Sequence, residues 1–251
     1  MQILVVNPNT TASMTAGIAA AARAAAAAGT TIRSVNPSDG PASIEGYVDE
    51  AYCVPGLLGE IRRAQARPPA PDAVVIACFD DTGLDAARCV ASGPVVGIGE
   101  AAFHMASLLA GRFGVVTTLA RSIAAIEHNL VRYGFASRCC GVRASEVPVL
   151  SLEDPASDAR ERISAEIARA IEHDRAEAIV LGCAGMADLA GALSQRHGVP
   201  VLDGVACAVR LAESLVVLGL STSRIGAYAP PIPKRYDGIF ADAAPVQPSR
   251  P

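Results

Sequence analysis

Short apolar runs alternate with longer stretches rich in Ala and Leu along this chain of 251 residues. Runs such as Ala73–Ala77 are apolar at every position rather than at every second one, which is typical of parallel strands that are covered on both faces. The intervening stretches are long enough, and rich enough in strong helix formers, to predict helices. This alternation predicts an α/β fold, with active residues where strands end and helices begin.

The predicted elements follow directly from this pattern. The strands are Gln2–Val6, Thr30–Val35, Asp72–Ala77, Pro94–Gly97, Phe113–Thr117, Arg138–Arg143, Glu177–Leu181, Pro200–Leu202 and Arg224–Tyr228. The helices cover roughly 11–28, 48–66, 83–92, 100–111, 119–134, 156–174, 185–197 and 205–218.

The two halves of the chain repeat one motif. Asp72–Cys78 and Glu177–Cys183 each contain an acid, an alanine, an apolar strand and then a cysteine at the strand's carboxyl end. A polar turn follows an earlier strand in each half, at Asn7–Thr10 and at Thr117-Thr118. We therefore predict two similar α/β lobes, each presenting one polar turn and one cysteine turn. Chance similarity between apolar strands is the alternative.

In this division the first lobe comprises residues 1–97 plus about 205–251, and the second comprises 98–204. Gly97-Ile98-Gly99, at the predicted junction, matches part of a dinucleotide-binding fingerprint. That fingerprint also requires an acid near the end of the next strand, and Thr117-Thr118 stands there instead. We therefore predict no nucleotide cofactor at these glycines.

Composition excludes several classes of protein. Hydrophobic residues make up 51% and charged residues 18% of the chain, which indicates a buried core rather than a disordered chain. The net charge is −4, without blocks of like charge, and aromatic residues are only 4% with no Trp. A nucleic-acid surface needs basic patches or aromatic stacking platforms, so we predict no nucleic-acid partner.

Residues 1–22 carry no charged side chain, but the polar segment Asn7–Thr11 interrupts them and no basic region precedes it. That pattern is unlike a signal peptide or a membrane span.

The seven cysteines contain no C-x-x-C pair, and the four histidines are not at ligand spacing from one another. We predict a cytoplasmic protein with reduced cysteines, no metal and no membrane association. Lys234, the single lysine, is poorly placed for the Schiff base of a pyridoxal enzyme.

Cys78 and Cys183 are the candidate catalytic residues because each stands where a strand ends and a helix begins. Backbone N–H groups and the helix dipole at such a position lower the pKa of a thiol. A single free cysteine is more often a core residue, but both of these precede turn sequences. Of two thiols facing each other across a cleft, one removes a proton from a carbon and the other returns a proton to the opposite face. This arrangement predicts a racemase or epimerase.

A set of short segments, taken in order, resembles a known family. They are Asn7–Thr10, Gly40–Gly46, Ala77–Asp81, Val116–Thr118, Leu181–Met186 and Asp203–Val205. Together they are similar to the hydantoin racemase branch of the aspartate/glutamate racemase superfamily, and the resemblance extends to about Gly238. Asp80-Asp81-Thr82-Gly83 stands where many hydantoin racemases have Asp-Asp-Pro-Gly. This departure leaves the side group of the substrate open.

The resemblance implies two flavodoxin-like lobes related by pseudo-twofold symmetry, with the active site in the cleft between them, and a homo-oligomer. It implies a cofactor-independent isomerase that racemises 5-substituted hydantoins, which are small cyclic ureides, through a C5 enolate. It also suggests that Cys78 takes the proton from the D isomer and Cys183 from the L isomer.

The alternative to a hydantoin racemase is an allantoin racemase. Another activity of the superfamily, such as an amino-acid racemase, a decarboxylase or a cis–trans isomerase, is a weaker alternative. Decarboxylases and cis–trans isomerases need only one cysteine or a different partner, and two candidate cysteines are present here. Nothing in the sequence supports a non-catalytic ligand-binding module.

Candidate substrate-binding residues come from the same segments. Backbone N–H groups after the cysteines are candidate donors to the ring carbonyls: those of Phe79, Ala184 and Gly185. Polar side chains of the two turns are candidates to hold the ring: Asn9, Thr10, Thr117 and Thr118. The apolar wall is predicted from Ile44, Phe79 and Met186. Capping of the following helix is an equal alternative for Thr10 and Thr117.

Three nearby acids are not assigned as bases. Glu45 is either a solvated loop acid or a neighbour of the site. Asp80 and Asp81 are predicted to be turn or cap residues, because a full negative charge beside Cys78 opposes formation of its thiolate.

Overall fold

Parallel strands and α-helices alternate through this computed structural model, which describes residues 1–154 and 156–245. The strands are β1 Gln2–Val6, β2 Thr31–Val35, β3 Ala73–Ile76, β4 Val95–Gly97, β5 Phe113–Thr117, β6 Cys139–Ala144, β7 Ala178–Gly182 and β8 Val201–Asp203. The helices are α1 Ala12–Ala25, α2 Tyr47–Gln65, α3 Leu84–Val90, α4 Ile98–Leu109, α5 Ile123–Arg132, α6 Ala159–Glu172, α7 Ala190–His197 and α8 Gly204–Val217. The predicted α/β fold class is confirmed.

The strands form two four-stranded parallel sheets with the same internal order. The first sheet has the order β2-β1-β3-β4 and the second has the order β6-β5-β7-β8, so β1 corresponds to β5 and β3 corresponds to β7. Val6 of β1 is paired with Ile76 of β3, and Thr117 of β5 is paired with Gly182 of β7. Each cysteine turn therefore lies directly beside a polar turn, at the carboxyl edge of its own sheet.

A shared core joins the two sheets. α4 and α8 pack against each other, and α8 also packs on β3 while α4 packs on β7. The ring of Phe103 in α4 is fully buried and stacks on Phe113 with 5.9 Å between centroids. It also meets the ring of Phe79 edge-on at 5.6 Å. Such aromatic pairs contribute about 0.5–1.5 kcal/mol beyond the burial of their area, so the residue after Cys78 is anchored in this core.

One predicted strand is wrong. The segment Arg224–Tyr228 joins neither sheet, and Gly226–Tyr228 forms a single 3₁₀ turn instead. Gly226 has a φ of +67°, and the side chain of Ile225 is 81% exposed. A strand is stabilised by burying one face of its side chains and by ladder hydrogen bonds. This short segment has a left-handed residue at its centre and pairs with no strand of either sheet.

Helix α8 follows the second sheet in the chain and packs on α1, which flanks the first sheet. The division into lobes of 1–97 plus about 205–251 and of 98–204 stays a prediction, and its residues 246–251 lie outside the described residues. No helix in the described part of the chain is both long enough and apolar enough to cross a membrane.

Candidate active site

The two candidate cysteines line one cleft, and they reach it from equivalent strands of the two sheets. Cys78 lies two residues after β3, and Cys183 directly follows β7. The same cleft is lined by several residues predicted from the sequence: Asn9, Ile44, Phe79, Thr118 and Ala184. Its free volume is about 40 Å³, which is room for roughly three water molecules. The walls therefore lie close around the two thiols.

A tight turn carries Cys78. The N–H of Asp81 donates to the carbonyl oxygen of Cys78 at 3.0 Å, and the hydroxyl of Thr82 lies 3.5 Å from Cys78 Sγ. Asp81 has a φ of +52° and Gly83 a φ of +74°. A left-handed backbone costs a non-glycine residue on the order of 1–2 kcal/mol, so this shape of the turn depends on contacts that hold Asp81 in place.

Cys183 lies on the corresponding turn of the second sheet, where two strands approach closely. A Cβ added at Gly182 would lie 2.7 Å from the Cβ of Thr117, so only glycine fits there. The hydroxyl of Thr117 donates to the carbonyl oxygen of Gly182 at 3.0 Å, which fixes β5 to β7 just before the cysteine. The N–H of Met186 donates to the carbonyl oxygen of Cys183 at 3.1 Å. This bond starts the 3₁₀ helix Ala184–Leu189.

Burial raises the pKa of both thiols. It raises the pKa of Cys183 to about 12 in spite of a hydrogen bond from the backbone N–H of Gly185. The pKa of Cys78 is raised well above its usual range, first by burial and then by the carboxylate of Asp80, although the hydroxyl of Thr82 opposes the shift. The expected lowering by the helix dipole is therefore outweighed. Both thiols are protonated near neutral pH, and a thiolate formed here is a stronger base than one in water.

Asp80 is the acid that both thiols share. Its side chain lines the cleft, and its charge contributes to the raised pKa of both Cys78 and Cys183. Burial raises the pKa of Asp80 itself to about 7, with the charges of Glu50 and Asp81 adding to the shift. The carboxyl group is thus largely neutral below that pH, which spares the thiols an adjacent negative charge.

The polar turn after β1 presents Asn9 to the cleft. Its Oδ1 accepts hydrogen bonds from the N–H of Thr11 at 2.9 Å and from Nδ2 of Asn7 at 2.8 Å. These bonds fix the orientation of the amide. Its Nδ2 lies 3.6 Å from the sulfur of Met14, which is a weak acceptor. The amide N–H groups of Asn9 are therefore available to a bound molecule, and Thr118 lines the cleft from the corresponding turn after β5.

Other predicted residues lie beside the cleft rather than in its lining. The hydroxyl of Thr10 donates to the carbonyl oxygen of Pro41 at 3.3 Å, and the hydroxyl of Thr117 is bonded to Gly182. Neither is an N-cap residue. Gly185 lines a neighbouring cavity of about 540 Å³, and Met186 is fully buried in the core beside β7. A role of these residues in substrate binding stays a prediction.

Met14, Ser122 and Val149 also line the cleft, and sequence reasoning missed them. Met14 lies in the first turn of α1, and Ser122 lies at the end of a 3₁₀ turn before α5. Val149 lies far along the chain, at the start of another 3₁₀ turn. None belongs to a motif, so no signal in the sequence separates them from ordinary core or helix residues.

The remaining cysteines lie outside the cleft lining, and all seven are free. Cys53 is fully buried in α2, and Cys139 and Cys140 form the start of β6. In the described residues, no group of three or more His, Cys, Asp or Glu side chains is arranged to hold a metal ion.

Comparison with known proteins gives the family. The model of the family described as Asp/Glu/Hydantoin racemase matches residues 3–212. The chain belongs to the Asp/Glu/hydantoin racemase family. The resemblance drawn from the short sequence segments is therefore confirmed, and the match includes both strand-end cysteines and both polar turns.

Relatives within the Asp/Glu/hydantoin racemase family align along almost the whole chain. A hydantoin racemase of Rhizobium meliloti is 50% identical over 231 residues, which are 92% of this chain and 95% of the relative. A hydantoin racemase of Pseudomonas sp. (strain NS671) is 46% identical over 240 residues, which are 96% of each chain. The solved structure of an allantoin racemase from Klebsiella pneumoniae has a TM-score of 0.94 at 48% identity. It covers 98% of this chain and 100% of its own.

Proposed function

We propose that the protein is an isomerase that racemises 5-substituted hydantoins by a cofactor-independent, two-cysteine acid/base mechanism. One observation carries this proposal: Cys78 and Cys183 leave equivalent strands of two equivalent sheets and line the same cleft. Two acid/base groups related in this way approach a bound carbon from opposite sides. Racemisation requires this relationship, because the proton leaves one face of the carbon and returns to the other.

The proton balance follows from the two thiols. The thiolate of one cysteine takes the proton from C5 of the hydantoin, and the electron pair of the C5–H bond moves into the adjacent C4 carbonyl to form an enolate. The thiol of the other cysteine then gives its proton to the opposite face of C5, and the enolate returns to the carbonyl. After one turnover the two cysteines have exchanged protonation states, so the enzyme is ready for the reverse reaction.

Burial suits this division between one thiolate and one thiol. The raised pKa values of Cys78 and Cys183 mean that two thiolates in one cleft are strongly disfavoured. A single negative charge therefore moves from sulfur to the enolate oxygen and back to sulfur. A thiolate with a high pKa is also better matched to a weakly acidic C–H bond than an ordinary surface thiolate.

The chain supplies donors for the charge that develops on the enolate oxygen. The backbone N–H groups of Phe79 and Ala184 follow the two cysteines and border the cleft, where preorganised donors are most effective. The N–H of Gly185 is directed at the sulfur of Cys183 and stabilises its thiolate. Asn9 and Thr118 are placed to hold the N–H and C=O groups of the ring, and no separate cofactor takes part in these steps.

The apolar part of the cleft favours hydantoins with apolar side groups. Ile44 and Phe79 form the predicted wall, and Met14 and Val149 add to it. Allantoin, whose side group is a polar ureide, is the second candidate substrate. It is supported by the structural similarity to the allantoin racemase from Klebsiella pneumoniae. The identity to hydantoin racemases is of the same size, so the substrate must be decided by measurement.

Polarimetry decides between these substrates. We expect the purified protein to racemise the L isomers of benzyl-, isopropyl- or methylthioethyl-hydantoin with a kcat/KM at least about tenfold above that for allantoin, a difference of about 1.4 kcal/mol in transition-state binding. A preference for allantoin would replace the hydantoin proposal with its alternative. Absence of racemisation with every one of these compounds would overturn both.

We also propose that the protein works in the cytoplasm as a homo-oligomer. Its seven free cysteines suit a reducing compartment. Several large apolar side chains are exposed on α2 and near the C-terminus, such as those of Val48 and Ile239, and they offer surface for contact between copies. Sedimentation equilibrium at micromolar concentration tests the assembly, and a purely monomeric species would contradict it.

A further inference from the structure

The carboxylate of Asp81 is buried behind the turn of Cys78 and accepts three hydrogen bonds. The N–H groups of Gly99 and Glu100, in the first turn of α4, donate to it at 3.0 and 2.8 Å. The hydroxyl of Tyr133, directly after α5, donates at 3.0 Å. A carboxylate in this position caps a helix and interacts favourably with its dipole. Here the cap comes from a distant segment, because Gly97 at the N-cap has no side chain.

Two glycines leave the space that this carboxylate occupies. A Cβ added at Gly97 would lie 2.1 Å from Oδ1 of Asp81. A Cβ added at Gly99 would lie 2.3 Å from the carbonyl oxygen of Phe79 and 2.9 Å from Oδ2 of Asp81. Neither position accepts a side chain without displacing the turn. The glycine pair that resembles part of a nucleotide-binding fingerprint therefore holds the turn of Cys78 instead of a phosphate.

Helix α5 holds the same turn from a second direction. Nδ2 of Asn129 donates to the carbonyl oxygen of Asp80 at 2.8 Å, and Arg132 forms an ion pair with Asp85 of α3. Between these contacts Asp81 keeps its left-handed conformation, with a φ of +52°. A strained residue persists only where its surroundings determine its conformation. The contacts to α4 and α5 provide those surroundings.

We propose that Asp81 and Tyr133 are positioning residues that set the location of the Cys78 thiol relative to Cys183. They act by bonding the cysteine turn of the first sheet to the two helices that flank β5 of the second sheet. The expected effect on the rate of racemisation rests on the proposed two-cysteine mechanism. The two thiols must reach opposite faces of one carbon, and a displacement of about 1 Å can reduce the rate on the order of 100-fold.

Tyr133→Phe is the mildest test because it removes one donor and keeps the ring in the core. We expect kcat for racemisation to fall about 10- to 100-fold while KM changes less than about threefold. We also expect the rate at which iodoacetamide alkylates Cys78, followed by peptide mass spectrometry, to change while the rate at Cys183 stays the same. Tyr52→Phe is the matched control: its side chain is 73% exposed, and neither measurement should change.

Gly97→Ala displaces Asp81 without removing any polar group. Its matched control is Gly191→Ala, where an added Cβ meets no atom within 4 Å. We expect the rate of alkylation to change at Cys78 and not at Cys183 in Gly97→Ala, and to change at neither cysteine in the control. Unchanged labelling of Cys78 in both Tyr133→Phe and Gly97→Ala would overturn the inference. A change at both cysteines that tracks a loss of thermal stability would also overturn it. Labelling needs no substrate, so it decides the matter even if the wild-type protein racemises no tested compound and the proposed function fails.

Discussion

Glu45 accepts a hydrogen bond from the backbone N–H of Val149 at 2.9 Å. The two residues are far apart in the chain, and this bond joins the loop after β2 to the segment after β6, beside the cleft-lining residues Ile44 and Val149. The charge of Glu45 also contributes to the raised pKa of Cys183. Of the two interpretations of Glu45 from sequence, the structure therefore favours a neighbour of the site over a solvated loop acid.

The first prediction concerns closure of the cleft by this bond. The free volume of the cleft is only about 40 Å³, so we expect the two loops to separate when a substrate enters and to close over it. A sheltered hydrogen bond to a charged group contributes about 1.5–3 kcal/mol, and partial exposure reduces that value here. We expect Glu45→Ala to raise KM roughly three- to tenfold, whereas Glu45→Gln, which keeps an acceptor, should stay near the wild-type KM. Equal effects of the two substitutions on KM would contradict a role for the bond.

The second prediction concerns the charge of Asp80. Its pKa is raised to about 7, mainly by burial, so the side chain is largely neutral below that pH and becomes negative above it. Above it, the charge further raises the pKa of both thiols. Asp80→Asn removes the charge at every pH. We therefore expect faster alkylation of Cys78 and Cys183 in the variant above about pH 7 and equal rates below it, measured without substrate.

Asp39→Asn is the control for this measurement, since Asp39 is an exposed loop acid whose charge is not among the causes of either raised thiol pKa. Its alkylation profile should match that of the wild-type protein. The measurement should cover pH 6 to about 9, a range that includes the ordinary thiol pKa. If Asp80→Asn has the wild-type alkylation profile over this whole range, the carboxylate of Asp80 does not act on the thiols.

The third prediction concerns the close approach of β5 and β7. A Cβ at Gly182 would lie 2.7 Å from the Cβ and 2.9 Å from the Cα of Thr117. Overpacking of this kind destabilises a core by roughly 1–3 kcal/mol, so Gly182→Ala should lower the free energy of unfolding by that amount. Gly191→Ala places the same methyl group in open space on α7 and should be neutral or stabilise by up to about 1 kcal/mol. Urea unfolding of the two variants compares them directly, and equal stability would refute the packing argument.

Much of this architecture could be predicted because its signals are local. A short, fully apolar run such as Ala73–Ala77, bounded by turn residues, predicts a buried strand, and that strand determines where a cysteine at its end lies in the fold. Val149 and Met14 could not be predicted as cleft residues, because their positions depend on how distant loops and helices pack. The segment Arg224–Tyr228 shows the opposite error: its local pattern resembles a strand, but it pairs with no strand of either sheet.

The direction of the pKa shift of the two thiols could not be predicted for a similar reason. The position of Cys78 at a helix start is visible in the sequence, and it predicts a lowered pKa. Burial depends on how distant strands, helices and loops pack around the site, and it raises the pKa of Cys78.

The last prediction separates the roles of the two cysteines. Replacing either thiol by a hydroxyl keeps its approximate size but raises the pKa of the group far above that of a thiol, so proton removal on that face should fall by several orders of magnitude. Racemisation requires both faces, and Cys78→Ser and Cys183→Ser should each abolish it. Exchange of the C5 proton with solvent deuterium requires only one base that removes and returns a proton on its own side.

Each variant should therefore exchange one isomer without inverting it. With Cys78 assigned to the D isomer and Cys183 to the L isomer by the family resemblance, Cys78→Ser should still exchange the L isomer in heavy water, and Cys183→Ser the D isomer. Proton NMR of the C5 signal, recorded for each variant with each isomer, gives the four rates, and Cys207→Ser, outside the cleft lining, is the control that should keep racemisation. Exchange of the opposite isomers would reverse the assignment of faces. Near-normal racemisation in either catalytic variant would mean that one thiol suffices, and the two-base mechanism would be wrong.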